Sequence, residues 1–389
     1  MAGGPGERFW PLSTRERPKQ FINLFGHKSL LQQTVERIKP LIPEERILVA
    51  TGKEYEALAH QQLPDLPKEN LVLEPMGRDT AACIGLASLF IERRDPRAIM
   101  VVLPSDHYIP DQKKFLKTLF SAIEVARSGD WLVTLGIKPT RAETGYGYIK
   151  GGEKLDIVAS HLIWNDDSQG TSLCATDTGG FIRLRRINQG ASGGRGTRDF
   201  TSGGDVLRVE RFVEKPDLIT AQGYLAEGTY YWNSGMFIWR NRVIQSQIAK
   251  WMPKLWQALE RIKEKLGNRE IEKVLEREFM GLEKISVDYG ILEKAKGVVV
   301  IPAPFPWDDL GSWAALDRII EPDKQGNIVI GKHFGLDTRG CIVYGDEEPV
   351  ATLGLSGLII IRTKDGTLIC SKGRAQEIKK LLQELGSVE

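Results

Sequence analysis

Met1-Ala2-Gly3-Gly4-Pro5-Gly6-Glu7-Arg8-Phe9-Trp10-Pro11-Leu12 opens the chain with three closely spaced glycines just ahead of a fixed cation. Glycine lets the backbone turn sharply and bring bare N–H groups against anionic oxygens, so this spelling reads as a concave nest for an oligophosphate. Two other phosphate loops are excluded. No Gly-Lys-Ser/Thr follows, as a Walker A loop requires, and Phe9 stands where a dinucleotide fingerprint has its third glycine. Lys19, in Pro18-Lys19-Gln20, supplies a second cation one short loop downstream. A disordered glycine-rich tail is the alternative for this stretch taken alone. A loop of this kind normally follows a buried strand, yet only Met1 and Ala2 precede Gly3. The expectation is therefore a first parallel strand upstream of Met1, or a truncated chain, because losing a central strand exposes a sheet interior.

Beyond this loop, apolar runs alternate with helical periodicity through residue 136. Leu30, Leu31, Thr34, Val35 and Ile38 recur at helical spacing and stop at Pro40, and Ile47-Leu48-Val49-Ala50 then reads as a strand. Leu71-Val72-Leu73, Ile99-Met100-Val101-Val102-Leu103 and Trp131-Leu132-Val133-Thr134-Leu135 are further strands, with helices from Asp79 and over 113–127. This order predicts an α/β fold: a Rossmann-like, mostly parallel sheet flanked by helices, with ligands at the carboxyl ends of strands. Residues 151–205 are rich in Gly, Ser, Thr and Asp without periodicity and read as a flexible insertion. Val206 to Val213 and Tyr230 to Trp239 read as strands, and 242–265 and 269–280 as helices. After Pro322 the composition shifts to short β pieces and a final helix over 375–385. The expected domains are 1–321, carrying the chemistry, and a small β-rich domain, 322–389.

Composition narrows the function classes. At 389 residues and net charge +2, with basic residues scattered, the chain lacks the electrostatic footprint of a nucleic-acid or anionic-membrane binder. No apolar run approaches the ~18 residues that span a bilayer. Cys83, Cys174, Cys341 and Cys370 lie far apart, which argues against a zinc site or a disulfide framework and for a cytoplasmic location.

Several motifs carry polar chemistry. Leu103-Pro104-Ser105-Asp106-His107 ends a buried strand, so Asp106 projects from a carboxyl edge either as a Mg²⁺ ligand or as a turn cap. Trp307-Asp308-Asp309-Leu310-Gly311 offers a second carboxylate; Asp308 reads as a helix cap and Asp309 as a metal ligand. Glu214-Lys215-Pro216 follows a strand, with Glu214 able to accept from sugar hydroxyls and Lys215 to meet a phosphate, although such a pair is also an ordinary surface feature. Thr144-Gly145-Tyr146-Gly147-Tyr148 and Trp232-Asn233-Ser234-Gly235 each line a sugar pocket or form a β-bulge. Arg78-Asp79-Thr80 leads into a helix and reads as base or ribose recognition or as a plain cap. No Ser-His-Asp or Cys-His arrangement is legible. Phosphoryl and nucleotidyl transfer do not need one, since they rest on positioning and charge neutralisation.

In this order, the motifs resemble the nucleotide-sugar pyrophosphorylases, in the mannose-1-phosphate guanylyltransferase branch. The resemblance is carried by Gly3 to Ser13 with Pro18-Lys19-Gln20-Phe21, Leu103 to His107, Phe212 to Pro216, Trp232 to Gly235, and Trp307 to Trp313. It implies that GTP and α-D-mannose 1-phosphate give GDP-mannose and pyrophosphate with Mg²⁺. It further implies that Arg8 and Lys19 hold the triphosphate on the loop Gly3, Gly4 and Gly6, and that Asp106, with Asp309, carries the metal. Arg78, Asp79 and Thr80 would face the nucleoside, Gly147 would approach the sugar, Glu214 and Asn233 would grip its hydroxyls, and Lys215 would bind its phosphate. A homodimer is expected. The competing readings are a UTP- or dTTP-dependent glucose-1-phosphate nucleotidyltransferase and a non-catalytic, nucleotide-sugar-binding regulatory protein.

Overall fold

A computed structural model describes residues 1–3, 6–157 and 205–386. The chain forms two compact units, each assembled from separated stretches: Met1–Gly77, Pro104–Gln112 and Phe305–Glu389 in unit 1, Arg78–Leu103 and Lys113–Pro304 in unit 2. The boundary expected at 321/322 falls inside unit 1.

In the N-terminal part of unit 1, helix α1 (Leu30–Ile38) begins at a capping box: Ser29 Oγ accepts the Gln32 N–H, and the Gln32 side chain accepts the Ser29 N–H. The short strands β1 (Val49–Gly52) and β2 (Leu71–Glu74) pair in parallel, with α2 (Glu56–Gln62) between them in sequence. Ala2 donates its N–H to the Ala50 carbonyl, and Ser105 donates to the Met1 carbonyl. The two residues ahead of the glycine loop are thus hydrogen-bonded both to β1 and to the segment bearing Asp106.

Unit 2 holds a six-stranded sheet of β3 (Ile99–Val102), β4 (Leu132–Ile137), β5 (Tyr148–Lys154), β6 (Leu207–Val213), β7 (Tyr230–Arg240) and β8 (Val298–Ala303), in the order β3-β7-β4-β8-β6-β5. The α/β fold expected from the alternation of elements is present, but the sheet is mixed rather than mostly parallel. Only β4 with β8 is parallel; β7 returns antiparallel between β3 and β4, and β5 and β6 run antiparallel. Helices α3 (Asp79–Arg94), α4 (Gln112–Ser128), α5 (Leu218–Glu227), α6 (Asn241–Trp251), α7 (Pro253–Lys263) and α8 (Ile271–Met280) accompany it. The single helix expected over 242–265 is two, because Pro253 has no N–H to continue α6 and starts α7 at its first position. Gly85 lets α3 meet α7 closely: a Cβ there would come within 2.7 Å of Leu259. Strand β5 runs through Lys154, so the expected insertion starts inside a strand; its remainder, 158–204, lies outside the described residues.

The C-terminal part of unit 1 is β-rich, as expected, with six strands: β9 (Ile328–Ile330), β10 (His333–Leu336), β11 (Ile342–Gly345), β12 (Val350–Leu353), β13 (Leu358–Thr363) and β14 (Gly366–Ser371). Strands β9, β11 and β13 stack in parallel, as do β10 and β12. Alternation along β11 and β13 divides the buried side chains. Ile342, Tyr344, Ile359 and Ile361 join a core with Phe9, Leu12 and Trp313, while Val343 and Ile360 pack with Cys341 and Val350. Helix α9 (Ile378–Leu385) ends the described chain.

Candidate active site

The glycine loop, both cations and both metal-candidate carboxylates come together in unit 1. Gly3, Gly6, Arg8, Phe9, Lys19, Gln20, Asp106, His107, Asp309, Leu310 and Gly311 line one open cleft of about 250 Å³. Gly4 lies outside the described residues. Gly6 has φ +61°, and a Cβ there would lie 2.3 Å from the Lys19 Cβ, so only glycine lets the loop close over Lys19. Phe9 is buried in the single turn Glu7–Phe9 and anchors the loop to the core. Arg8 is exposed, and its guanidinium donates to Gln376 Oε1 at 2.7 Å.

Lys19 is the centre of the cluster. It is 7% exposed, and its ammonium donates to Asp106 Oδ2 at 2.8 Å and to the Asp309 backbone carbonyl at 2.5 Å. Burial by itself would raise the Asp106 carboxyl, but the Lys19 ammonium, with His107 assisting, holds it below the ordinary carboxylate range. Asp106 is therefore an ionised, hard oxygen donor at neutral pH. His107 goes the other way. Burial pushes it down to about 4 against the pull of Asp106, so the imidazole is neutral. The Trp307 indole N–H donates to His107 Nδ1 at 3.0 Å, which leaves the ring proton on Nε2, 4.0 Å from Asp106 Oδ1.

Asp308 does not cap a helix; Ser312 occupies the position ahead of the turn Trp313–Arg318. Asp308 instead accepts the Leu310 N–H at 2.9 Å and two bonds from Arg318. These bonds hold Leu310 at φ +52° and set the turn that presents Asp309 beside Gly311. Asp308 thus shapes the turn that carries its neighbour.

The remaining motifs gather within unit 2. Gly147 is buried on the approach to β5, and a Cβ there would meet Glu214 Oε2 at 2.3 Å. Glu214 is 11% exposed and pairs with Lys215 at 2.7 Å, while Lys215 turns at φ +46°. Asn233, on β7, donates its backbone N–H to the Gly147 carbonyl at 2.8 Å and its side-chain amide to Asp288 Oδ1 at 2.7 Å. Arg78 holds the end of α8 through the Phe279 and Met280 carbonyls. Asp79 is not the residue before α3 but its first residue, at φ +65°, and its carboxylate accepts the Thr80 N–H. Thr80 Oγ1 in turn accepts the Val287 N–H at 2.9 Å. Sequence reasoning passed over Asp288 and Gln376, and quoted Trp307 without its bond to His107. It also passed over Arg141, whose guanidinium stacks 4.8 Å from the Trp232 ring and donates to Tyr146 Oη.

Among the described residues no helix is long and apolar enough to cross a membrane. Comparison with known proteins identifies the lineage. A nucleotidyl transferase family model matches residues 1–160 and 194–325, and a MannoseP isomerase/GMP-like beta-helix domain model matches 331–385. The mannose-1-phosphate guanylyltransferase of Klebsiella pneumoniae is 35% identical over 388 residues, covering 99% of this chain and 73% of that protein. The xanthan biosynthesis protein XanB of Xanthomonas campestris pv. campestris is 36% identical over 391 residues, covering 100% and 72%. The crystal structure of mannose-1-phosphate geranyltransferase from Thermus thermophilus superposes with a TM-score of 0.79 at 36% identity, covering 99% of this chain and 98% of that one. The chain belongs to the nucleotidyl transferase family, among the mannose-1-phosphate guanylyltransferases.

Proposed function

We propose that the chain transfers GMP from GTP to α-D-mannose 1-phosphate, giving GDP-mannose and pyrophosphate. The observation that carries this is the unit 1 cleft, where a glycine loop, two cations and two carboxylates converge with no serine, threonine or cysteine among the lining residues. A phosphate oxygen of the sugar attacks the α-phosphorus of GTP. The new P–O bond forms as the bond from the α-phosphorus to its bridging oxygen breaks, and pyrophosphate leaves with the electron pair. Arg8 and Lys19 hold the triphosphate on the loop and offset the charge that grows on the leaving group. In unit 2, Glu214 and Asn233 take sugar hydroxyls, Gly147 allows close approach, Lys215 meets the sugar phosphate, and Asp79 and Thr80, with Arg78 behind them, face the nucleoside.

The donors fit a hard divalent cation. Asp106 and Asp309 line one cleft, Asp106 is ionised, and no group of three or more His, Cys, Asp or Glu among the described residues forms a metal cage of its own. Mg²⁺ takes one or two carboxylates together with phosphate oxygens and water. Asp106 and Asp309 would hold it, and bound there it would neutralise phosphate charge. The wide spacing of Cys83, Cys174, Cys341 and Cys370 along the sequence supports a cytoplasmic location. The exposed apolar side chains Phe334, Leu336 and Leu353 on β10 and β12 support a homodimer.

Pyrophosphate release, measured with each nucleoside triphosphate against mannose 1-phosphate and glucose 1-phosphate, with and without Mg²⁺, tests the assignment. Turnover is expected with GTP and mannose 1-phosphate in the presence of the metal. Preference for UTP or dTTP with glucose 1-phosphate, or binding of GDP-mannose without turnover, would overturn it. Asp106→Asn should lower kcat by about 10²- to 10³-fold with the circular dichroism spectrum unchanged.

A further inference from the structure

Asp288 belongs to no motif that named the family, yet it is bonded to a residue of the unit 2 cluster. The Asn233 amide has four hydrogen-bonding positions, and two are spent inside the protein. One N–H goes to Asp288 Oδ1 at 2.7 Å, and the carbonyl oxygen accepts the Gly235 N–H at 3.1 Å. With both ends pinned, the amide cannot flip, and one N–H and one lone pair keep a fixed direction. The backbone N–H of Asn233 is held on the Gly147 carbonyl at 2.8 Å, so its Cα is fixed as well.

Asp288 is itself placed by its surroundings. It opens the π-helical turn Asp288–Leu292, a wide turn that recurs at functional sites. The residues before it are tied to the start of α3: Val287 donates its N–H to Thr80 Oγ1 at 2.9 Å, and Ala81 donates to the Ile285 carbonyl at 3.3 Å. The charged groups around Asp288 come from two places: Glu214 and Lys215 after β6, and Asp79 at the start of α3. Burial first, then the Glu214 charge, pushes the Asp288 carboxyl up to about 6. An acid set beside other acids is a poor choice for packing alone, whereas as an acceptor it fixes the one amide whose remaining groups are offered to a ligand.

The geometry points to Asp288 as a positioning residue for the sugar substrate, locking the Asn233 amide in the orientation that meets a sugar hydroxyl. This rests on the assignment of Asn233 to the sugar made above. The two assignments separate in a double-mutant cycle read as KM for mannose 1-phosphate, KM for GTP and kcat. Asp288→Leu removes the acceptor at similar size and should raise KM for mannose 1-phosphate about tenfold, leaving KM for GTP within about twofold. Asp288→Asn keeps an acceptor oxygen and should stay within about threefold of the parent, which a purely steric role would not distinguish from Leu. Asp288→Ala repeats the measurement should the leucine variant misfold. In an Asn233→Ala background, Asp288→Leu should add nothing further. An unchanged KM in Asp288→Leu, an equal rise in KM for GTP, or multiplicative effects in the double variant would overturn the positioning role. Asn233→Ala with unaltered KM for mannose 1-phosphate would overturn the sugar assignment itself, and the positioning role with it.

Discussion

Gly6 places the glycine loop directly against Lys19, and a methyl group there meets both a left-handed backbone and the Lys19 Cβ. Gly6→Ala should therefore lower kcat/KM for GTP at least about tenfold and cost roughly 1–2 kcal/mol of stability, the usual cost of a strained residue at positive φ. Steady-state kinetics and thermal unfolding read the two effects, and a variant indistinguishable from the parent would show that the loop does not depend on this contact. Residues such as Gly6, Arg8, Lys19, Asp106 and Asp309 were legible because their local spelling is unusual: glycines beside a cation, or a carboxylate ending an apolar run. Asp288 and Gln376 were not. Each is an ordinary residue in its own segment and acquires meaning only from a partner 55 or 368 positions away.

At the scale of elements, the C-terminal strands and α9 support the glycine loop. Trp313 donates its indole N–H to the Trp10 carbonyl, Ile378 shares a core with Phe9, and Gln376 holds Arg8. The β-rich tail, read from sequence as packing, oligomerisation or regulation, therefore also shapes the loop. Gln376→Ala should raise KM for GTP by about three- to tenfold, the net worth of one exposed hydrogen bond, without moving KM for mannose 1-phosphate. An equal rise for both substrates would mean that Gln376 does not act through Arg8. Strands β10 and β12 escaped sequence reading because neither is a buried apolar run: His333-Phe334-Gly335-Leu336 mixes a polar residue, a glycine and two exposed apolar side chains, and Val350–Leu353 alternates buried and exposed residues. Strand β7 was seen, but not its direction, since apolar content reports burial and says nothing of whether a neighbour runs parallel.

At the scale of the whole molecule, each unit is stitched from distant stretches, and no local pattern announces that 104–112 and 305–389 fold with 1–77. Long-range pairing of this kind is decided by which faces find partners, so the α/β class could be read from sequence and the division into units could not. Global stability should carry the mark of Asp288. Its carboxyl is raised in the folded state from 3.8 to about 6, so its contribution is fully present below the unfolded value and is lost as pH rises through 6. Asp288→Asn removes that loss. The variant should melt a few degrees above the parent at pH 8, a gain on the order of 1 kcal/mol, with the difference closing toward pH 4. A constant offset across this range would show that the carboxyl does not titrate as its surroundings dictate.

Asp79, Lys215 and Leu310 share one property: each is a non-glycine residue held at positive φ, Lys215 and Leu310 inside motifs that carry the family resemblance and Asp79 in the segment proposed to face the nucleoside. For protein engineering this marks ground to avoid. Surveys for stabilising mutations favour such positions, since glycine there relaxes the backbone. Here the relaxation would free the turns that aim Asp309 and Glu214. A thermostabilised variant of this enzyme is better sought in exposed positions of α7 and α8, where a gain in melting temperature need not be exchanged for turnover.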